Sequence, residues 1–433
     1  MVQLHFAAVS LPASQPPALL TAVPGPRSRA LAERLAAVES RNVTCLAPTP
    51  PIFWERARGA NVWDVDGNRF VDLTAGFGVA NAGHGHPRVV DAVSDQADRL
   101  LHAMGDVHPA AVKVTLLEAL ARHYPGGVAS RAVLSSSGAD AVETALKTTL
   151  LATGRAGVIA FEGAYHGLAL GALDATWSAR FREPFAARLP GATRFARYGD
   201  ADAVRRVARD AGAPVGAVLV EPIQGRGGNR IPPEGFLTEL RALCDEQGWL
   251  MIADEIYTGF GRTGRWFACD HEQVIPDLLC VGKGLAAGMP LSACLGRAQI
   301  MDAWPISEGE SLHTQTFLGH PPGCAAALAS IAVLDEEKLA ERAAELGAAS
   351  LARLRRALDG RRGITDVRGR GLLIGVECDS AERVSAACDA ALQRGIIALP
   401  CDDAGRVLSL TPPLTIEARI LADAIDGIVE VLA

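Results

Sequence analysis

The sequence predicts an α/β protein, a large domain built on a mainly parallel sheet with a smaller α+β domain after it. Three observations carry that expectation. From about Pro87 to Leu334, short apolar strands recur in AVLSSS, GVIAFEG, GAVLVEP, WLMIADE and DLLCVGK, most of them preceded by helix-like residues. Their apolar residues run without alternation, as strands covered on both faces by helices require. Beyond Leu334 the pattern changes to a charged helix, a strand-like stretch and a final amphipathic helix, which marks a second, smaller unit.

Composition bounds the function before any motif does. The chain has 433 residues, with 42 Lys and Arg against 49 Asp and Glu, a formal charge of −7. Hydrophobic residues make up 49% and charged residues 21%, which provides an ample core and excludes a disordered or collagenous chain. A modest acidic balance without a basic stripe argues against nucleic acid or an anionic membrane as partner, so small molecules are expected. The nine cysteines are scattered and form no CxxC pair, which reads as reduced, intracellular core thiols. The first 26 residues are apolar but have no Lys or Arg before Arg27 and are broken by prolines, so they make a poor signal peptide. No apolar stretch reaches the roughly 18 residues of a membrane span. The expected location is the cytoplasm.

Taken in order, residues 1–27 read as an N-terminal arm. Residues 28–86 read as an N-terminal segment that joins the small domain. In it, Leu31, Leu35 and Val38 are spaced for a short amphipathic helix, and VWDVDGNRFVDL alternates around Asp66-Gly67, the mark of a two-residue hairpin. Asp64, Asp66 and Asn68 imitate a calcium loop, but Arg69 stands where Gly is needed and Ala75 where Glu is needed. Residues 87–334 form the large α/β domain. Residues 335–433 form the small one, from EEKLAERAAELGAASLARLRRAL through GITDVRGRGLLIGVEC to ARILADAIDGIVEVL.

The chemistry lies at strand ends. Ser135-Ser136-Ser137-Gly138-Ala139 joins a strand to a helix, and such a turn offers free amides and a positive helix end to a phosphate. Gly259, Gly261 and Gly264 spell GxGxxG, but Arg265-Trp266-Phe267 follows, so no helix opens there and no nicotinamide site is expected. WLMIADE delivers Asp254, and LLCVGKG delivers Lys283 between two glycines. An amine placed there is poorly solvated, which favours nucleophilic use. Together the two supply what a pyridine cofactor needs, an amine for a Schiff base and a carboxylate to keep the ring nitrogen protonated. Between them lie FEGAYHG, with Tyr165 and His166, and EPIQG, with Glu221 and Gln224.

In that order of stations the chain resembles the class III aminotransferases, fold-type-I pyridoxal 5'-phosphate (PLP) enzymes that include ornithine, acetylornithine and 4-aminobutyrate aminotransferases. The resemblance runs from about Phe53 to the C-terminus and is strongest in DEIYTGFGRTG, PDLLCVGKGLAAGMPLSA and HTQTFLGHP. It implies an amino donor and a 2-oxo acid acceptor. It makes Lys283 the Schiff-base lysine, Asp254 the partner of the ring nitrogen, and Gln224 the contact to the ring hydroxyl. Tyr165 would stack on the ring with Ile256 on its other face, while Ser137, Gly138 and Ala139 bind the phosphate. His166 is a positioned neighbour of the ring, and Glu221 belongs to the same cofactor shell. Thr316 is similar to a threonine that reaches the phosphate of the neighbouring subunit, implying a homodimer with a shared active site. Arg368 matches an arginine that binds a substrate carboxylate, and Phe77 and Val79 wall the pocket. His84 and His86, in GHGHP, match a family turn without metal.

Two departures stand out. Arg226 replaces a Glu that in omega-amine users pairs with the carboxylate-binding arginine, and Leu168 replaces an Arg after YHG. The pocket has lost an acid and relocated a base. The expected donors therefore carry the amine beside a carboxylate, with Arg226 available to a second acidic or polar group. Two other readings stay open: an amino-acid racemase or epimerase, in which the same carbanion is reprotonated on its other face, and a catalytically silent PLP-binding interaction protein.

Overall fold

The computed structural model describes residues 14–46 and 48–432; the beginning of the expected N-terminal arm, residues 1–13, lies outside the described residues. Strands are numbered in chain order. A first sheet starts with β1 (Trp54–Arg58), β2 (Asn61–Asp64) and β3 (Arg69–Asp72), paired antiparallel in that order. The β2–β3 turn is longer than a two-residue hairpin. Asp64 N donates to Asn68 O at 3.0 Å, which leaves Val65, Asp66 and Gly67 in the loop, with Gly67 at φ 87°. The carboxylates explain the extra residue. Asp64 Oδ1 accepts from the amides of Asp66 (3.0 Å) and Asn68 (2.8 Å), and Asp66 accepts from Arg27 N and Ser28 N at the start of the helix Pro26–Val38. The residues that imitate a calcium loop are thus engaged by backbone amides and a helix start.

The large sheet contains β4 (Ser130–Ser135), β5 (Gly157–Phe161), β6 (Thr193–Ala196), β7 (Val215–Val220), β8 (Leu250–Asp254), β9 (Leu278–Val281) and β10 (Ser292–Arg297), in the order β4-β10-β9-β8-β7-β5-β6. Neighbours from β9 to β6 run parallel, and only β10 opposes its neighbours β9 and β4. Every residue of β5, β7 and β9 is buried, which is why these strands read as unbroken apolar runs. Gly259, Gly261 and Gly264 lie in the loop beyond β8 and open no helix.

A third sheet holds β11 (Ile364–Arg370) and β12 (Leu373–Cys378), followed in the chain by β13 (Ile396–Ile397), β14 (Leu399–Pro400) and β15 (Val407–Leu410), in the order β11-β12-β15-β14. The helix Leu339–Leu358 packs on β11, and the helix Ala381–Leu392 on β14 and β15. β13 leaves this sheet and pairs parallel with β3, Ile396 opposite Val71 and Ile397 opposite Asp72. Early and late parts of the chain therefore share one sheet. Among the described residues no helix is long and apolar enough to cross a membrane.

Candidate active site

The parallel strands end on one edge of the large sheet, where open α/β sheets bind ligands. There the chain beyond β4, β5, β7 and β9 supplies Ser136–Ala139, Tyr165, Glu221 and Lys283, and β8 ends on Asp254. They meet at a cavity of about 510 Å³ whose lining includes Gly138, Ala139, Tyr165, Glu221, Asp254, Ile256 and Lys283, while Ser136 and the expected Ser137 stand just outside the lining.

At the turn, Ser137 is the N-cap of the helix Gly138–Thr153, and its hydroxyl accepts from Asp140 N at 3.3 Å. The helix thus presents its positive end, with Gly138 and Ala139, to the cavity. A Cβ on Gly138 would lie 2.9 Å from Ile256 Cδ1, so a side chain there would push Ile256 aside.

Asp254 is buried, and its Oδ2 lies 2.7 Å from His166 Nδ1 while its Oδ1 accepts from Ile256 N at 3.1 Å. His166 Nε2 is buried with no hydrogen-bond partner. Lys283 sits in the left-handed region at φ 39°, a conformation costing about 1–2 kcal/mol for a residue with a Cβ. Its Nζ lies 4.5 Å from the centroid of the Tyr257 ring, and no carboxylate oxygen of the described residues lies within 4 Å of it. Desolvation therefore lowers the pKa of this amine, against the opposing charges of Asp254 and Glu221. Glu221 accepts from Tyr165 N at 2.9 Å and Gly225 N at 3.0 Å, stapling two cavity loops together. Burial pushes its carboxyl up to about 7.

Not every expected residue faces the cavity. Gln224 does not line it. Gln224 and Arg230 exchange backbone bonds across a five-residue loop; Gln224 Nε2 donates to Glu162 O at 2.9 Å, and its Oε1 is buried with no hydrogen-bond partner. Glu221 and Tyr257 line the cavity instead, the latter directly after Ile256 in the DEIYTG string. Arg368 is also outside. It donates to Gly228 O at 3.0 and 2.7 Å and pairs with Asp366 at 2.8 Å and Glu377 at 2.6 Å. An acid holds it after all, but from its own sheet rather than from position 226. Val79 is half-buried outside the lining, whereas Phe77 lines it and is 63% exposed. Thr316 is exposed beside Gln315, whose carboxamide is bonded to Ser136 Oγ at 2.9 Å.

Arg226 lines both this cavity and a second one of about 450 Å³. Its guanidinium lies 4.9 Å from the Tyr165 ring centroid and 5.4 Å from that of Phe181, and no carboxylate of the described residues is within 4 Å. The far wall, Leu399 to Cys401 with Ser409 and Thr411, comes from the third sheet and has no motif that sequence reading could find.

The family described as Aminotransferase class-III matches residues 45–432. The chain belongs to it. It is 39% identical to a 4-aminobutyrate aminotransferase of Mycobacterium leprae, over 96% of this chain and 97% of that one. It is 41% identical to an acetylornithine aminotransferase of Methanopyrus kandleri, over 88% and 94%. The crystal structure of ornithine aminotransferase from Toxoplasma gondii ME49 superposes with a TM-score of 0.85 at 34% identity, covering 94% of each chain. This class III aminotransferase is thus a pyridoxal-phosphate-dependent enzyme of amino-group transfer. Nothing in these relatives supports the racemase or the silent binding protein. The residues present fit the cofactor: an amine free of carboxylates, an orphaned buried His166 Nε2 and a capped helix start face one cavity.

Proposed function

We propose that this cavity is the site of amino transfer, and that Lys283 and Asp254 carry its chemistry. Pyridoxal phosphate, when bound, supplies an electron sink for the carbon that bears the transferred nitrogen. Lys283 Nζ would hold it covalently. The same nitrogen, its pKa lowered by desolvation, would move the proton at the donor's amine-bearing carbon. Asp254, steadied by His166, is the anion that keeps the ring nitrogen protonated. Ser137, Gly138 and Ala139 hold the phosphate, and Tyr165 and Ile256 flank the ring.

Arg226 is the group we assign to a carboxylate of the amino-acid donor, because it faces the cavity unpaired while Arg368 is engaged by Asp366 and Glu377. A 2-oxo acid takes the nitrogen in the second half-reaction. A homodimer is supported by apolar side chains left exposed on two touching segments: Leu101, Met104 and Val107 on one, Leu312 and Phe317 on the other. The His102 and Phe317 rings meet edge-on at 5.4 Å, and Gln315 ties the second segment to the phosphate turn. A second copy seated there reaches the cavity with Thr316. The large domain is assigned to residues 87–334, the small one to 335–433 with 28–86 joining it, and the location to the cytoplasm.

The observation that carries this reading is the convergence of a carboxylate-free amine and the Asp254–His166 pair on one cavity. Protein loaded with pyridoxal phosphate should be yellow and should transfer nitrogen between an amino acid and a 2-oxo acid. Lys283→Ala should lose both the absorbance and all turnover. Near-normal transfer by that variant defeats the assignment, and formation of the D-amino acid without any acceptor would restore the racemase.

A further inference from the structure

The chain between Thr74 and Val79 is folded against its own chirality. Ala75, Gly76, Phe77 and Gly78 have consecutive φ values of 48°, 57°, 64° and 73°. The turn is closed by Gly78 N donating to Thr74 O at 2.8 Å and Val79 N to Ala75 O at 2.9 Å. A left-handed turn containing two residues with a Cβ persists only where its surroundings hold it. Gly78 cannot be replaced cheaply, since a Cβ there would lie 2.5 Å from Tyr257 Cε2.

What holds the turn is a carboxylate. Asp72 is fully buried at the end of β3. Its Oδ1 accepts from Thr74 N at 2.7 Å and Thr74 Oγ1 at 2.6 Å, and its Oδ2 accepts from Gly76 N at 3.1 Å. His84 Nε2 lies 2.8 Å from the same Oδ2. His84 is itself fixed, because its backbone exchanges two 2.8 Å hydrogen bonds with Gly59 and its ring meets Trp54 edge-on at 5.7 Å. At the other end the turn projects Phe77 into the cavity lining.

We infer that Asp72 and His84 are a positioning pair that fixes the Phe77 ring through this left-handed turn, and so sets which donor side chains the cavity admits without touching them. This rests on reading the cavity as the donor site. Neither residue faces the cavity: Asp72 holds amides of the turn, and His84 acts on them through Asp72. A buried carboxylate held by a ring nitrogen and three further donors is a stiff anchor. Loss of His84 frees one lone pair of Asp72 to re-aim and lets the strained turn relax.

The experiment measures kcat/KM for unbranched 2-amino acids from alanine to norleucine with the cofactor-loaded enzyme. Phe77→Ala should shift preference between the ends of the series by about tenfold or more, the scale of side-chain discrimination in a pocket. His84→Ala should shift it in the same direction, and the double variant should match Phe77→Ala alone, as residues acting through one contact do. His84→Gln, whose amide can still donate to Asp72, should return the profile toward wild type. Should His84→Ala fail to fold, Asp72→Asn takes its place. A wild-type profile in His84→Ala, or shifts that add in the double variant, overturns the inference. Hydrogen exchange over residues 74–79 needs no turnover: it should quicken in His84→Ala and slow again in His84→Gln. Unchanged exchange overturns the inference even where no member of the series is accepted, an outcome that counts against the donor class alone.

Discussion

Asp254 and Glu221 sit at the ends of neighbouring strands and are kept in opposite ways. Asp254 has a nitrogen and an amide to hold it. Asp254→Asn should therefore bind cofactor yet turn over roughly a hundredfold more slowly, about 3 kcal/mol of barrier, as when one preorganised electrostatic partner is lost. Unchanged kcat would reduce Asp254 to a strand-end charge. Glu221 has its carboxyl raised by burial to about 7 from a normal 4.5. The folded state then binds its proton more tightly than the unfolded state, so its contribution to stability is complete below 4.5 and is lost as pH rises toward 7. Glu221→Gln should melt with a weaker fall in Tm between pH 5 and 7.5 than wild type, and parallel curves would contradict this. Asp254 and Lys283 could be singled out in the sequence because one ends a buried apolar strand and the other follows one between two glycines, and because the two together match what a pyridine cofactor needs. The sequence did not show that Gln224 would lie outside the cavity lining, because EPIQG does not reveal that its Nε2 is engaged by Glu162 O.

The loop beyond β8 shows what one element does for the rest. Arg262, in its middle, is fully buried and donates to Leu372 O at 3.0 Å, Pro412 O at 2.6 Å and Asn81 Oδ1 at 2.7 Å. Desolvation lowers its pKa to about 10, still leaving it charged at neutral pH. One guanidinium thus fastens the loop that carries Tyr257 to the third sheet and to the segment after β3. Arg262→Met should cost about 3 kcal/mol, because it leaves two carbonyls and an amide oxygen buried without donors. Calorimetry should show a Tm several degrees lower, and an unchanged Tm would mean that water replaces the guanidinium. The sequence made the elements of the large sheet readable through their unbroken apolar runs. It concealed the far cavity wall, because residues 399–411 are placed by long-range contacts, β15 pairing with β12 and Thr411 bonding Leu73 O and Thr74 O, with β14 carried on β15.

For the whole molecule, the sharpest expectation concerns two copies. If Thr316 serves the partner's cavity, Lys283→Ala and Thr316→Ala proteins mixed under subunit exchange place both defects in one site and leave the other intact, so activity should rise above that of either alone. No rise, with exchange shown by mass spectrometry of mixed dimers, would confine Thr316 to its own chain. Composition and alternation announced a large α/β unit, but nothing local announced that β13 would cross to β3. That crossing bears on how the protein is made. The free edge of β3 must wait while roughly 300 further residues emerge, on the order of tens of seconds at about 5–20 residues per second. Throughout that interval β3 is paired to β2 on one side, and the rest of its other edge, beyond the Ala18–Arg69 bridge, lies open to neighbouring chains. Synthesis, more than the finished enzyme, is therefore where this protein is most exposed to aggregation, and slowing the ribosome downstream of β3 should lower its soluble yield before it touches its activity.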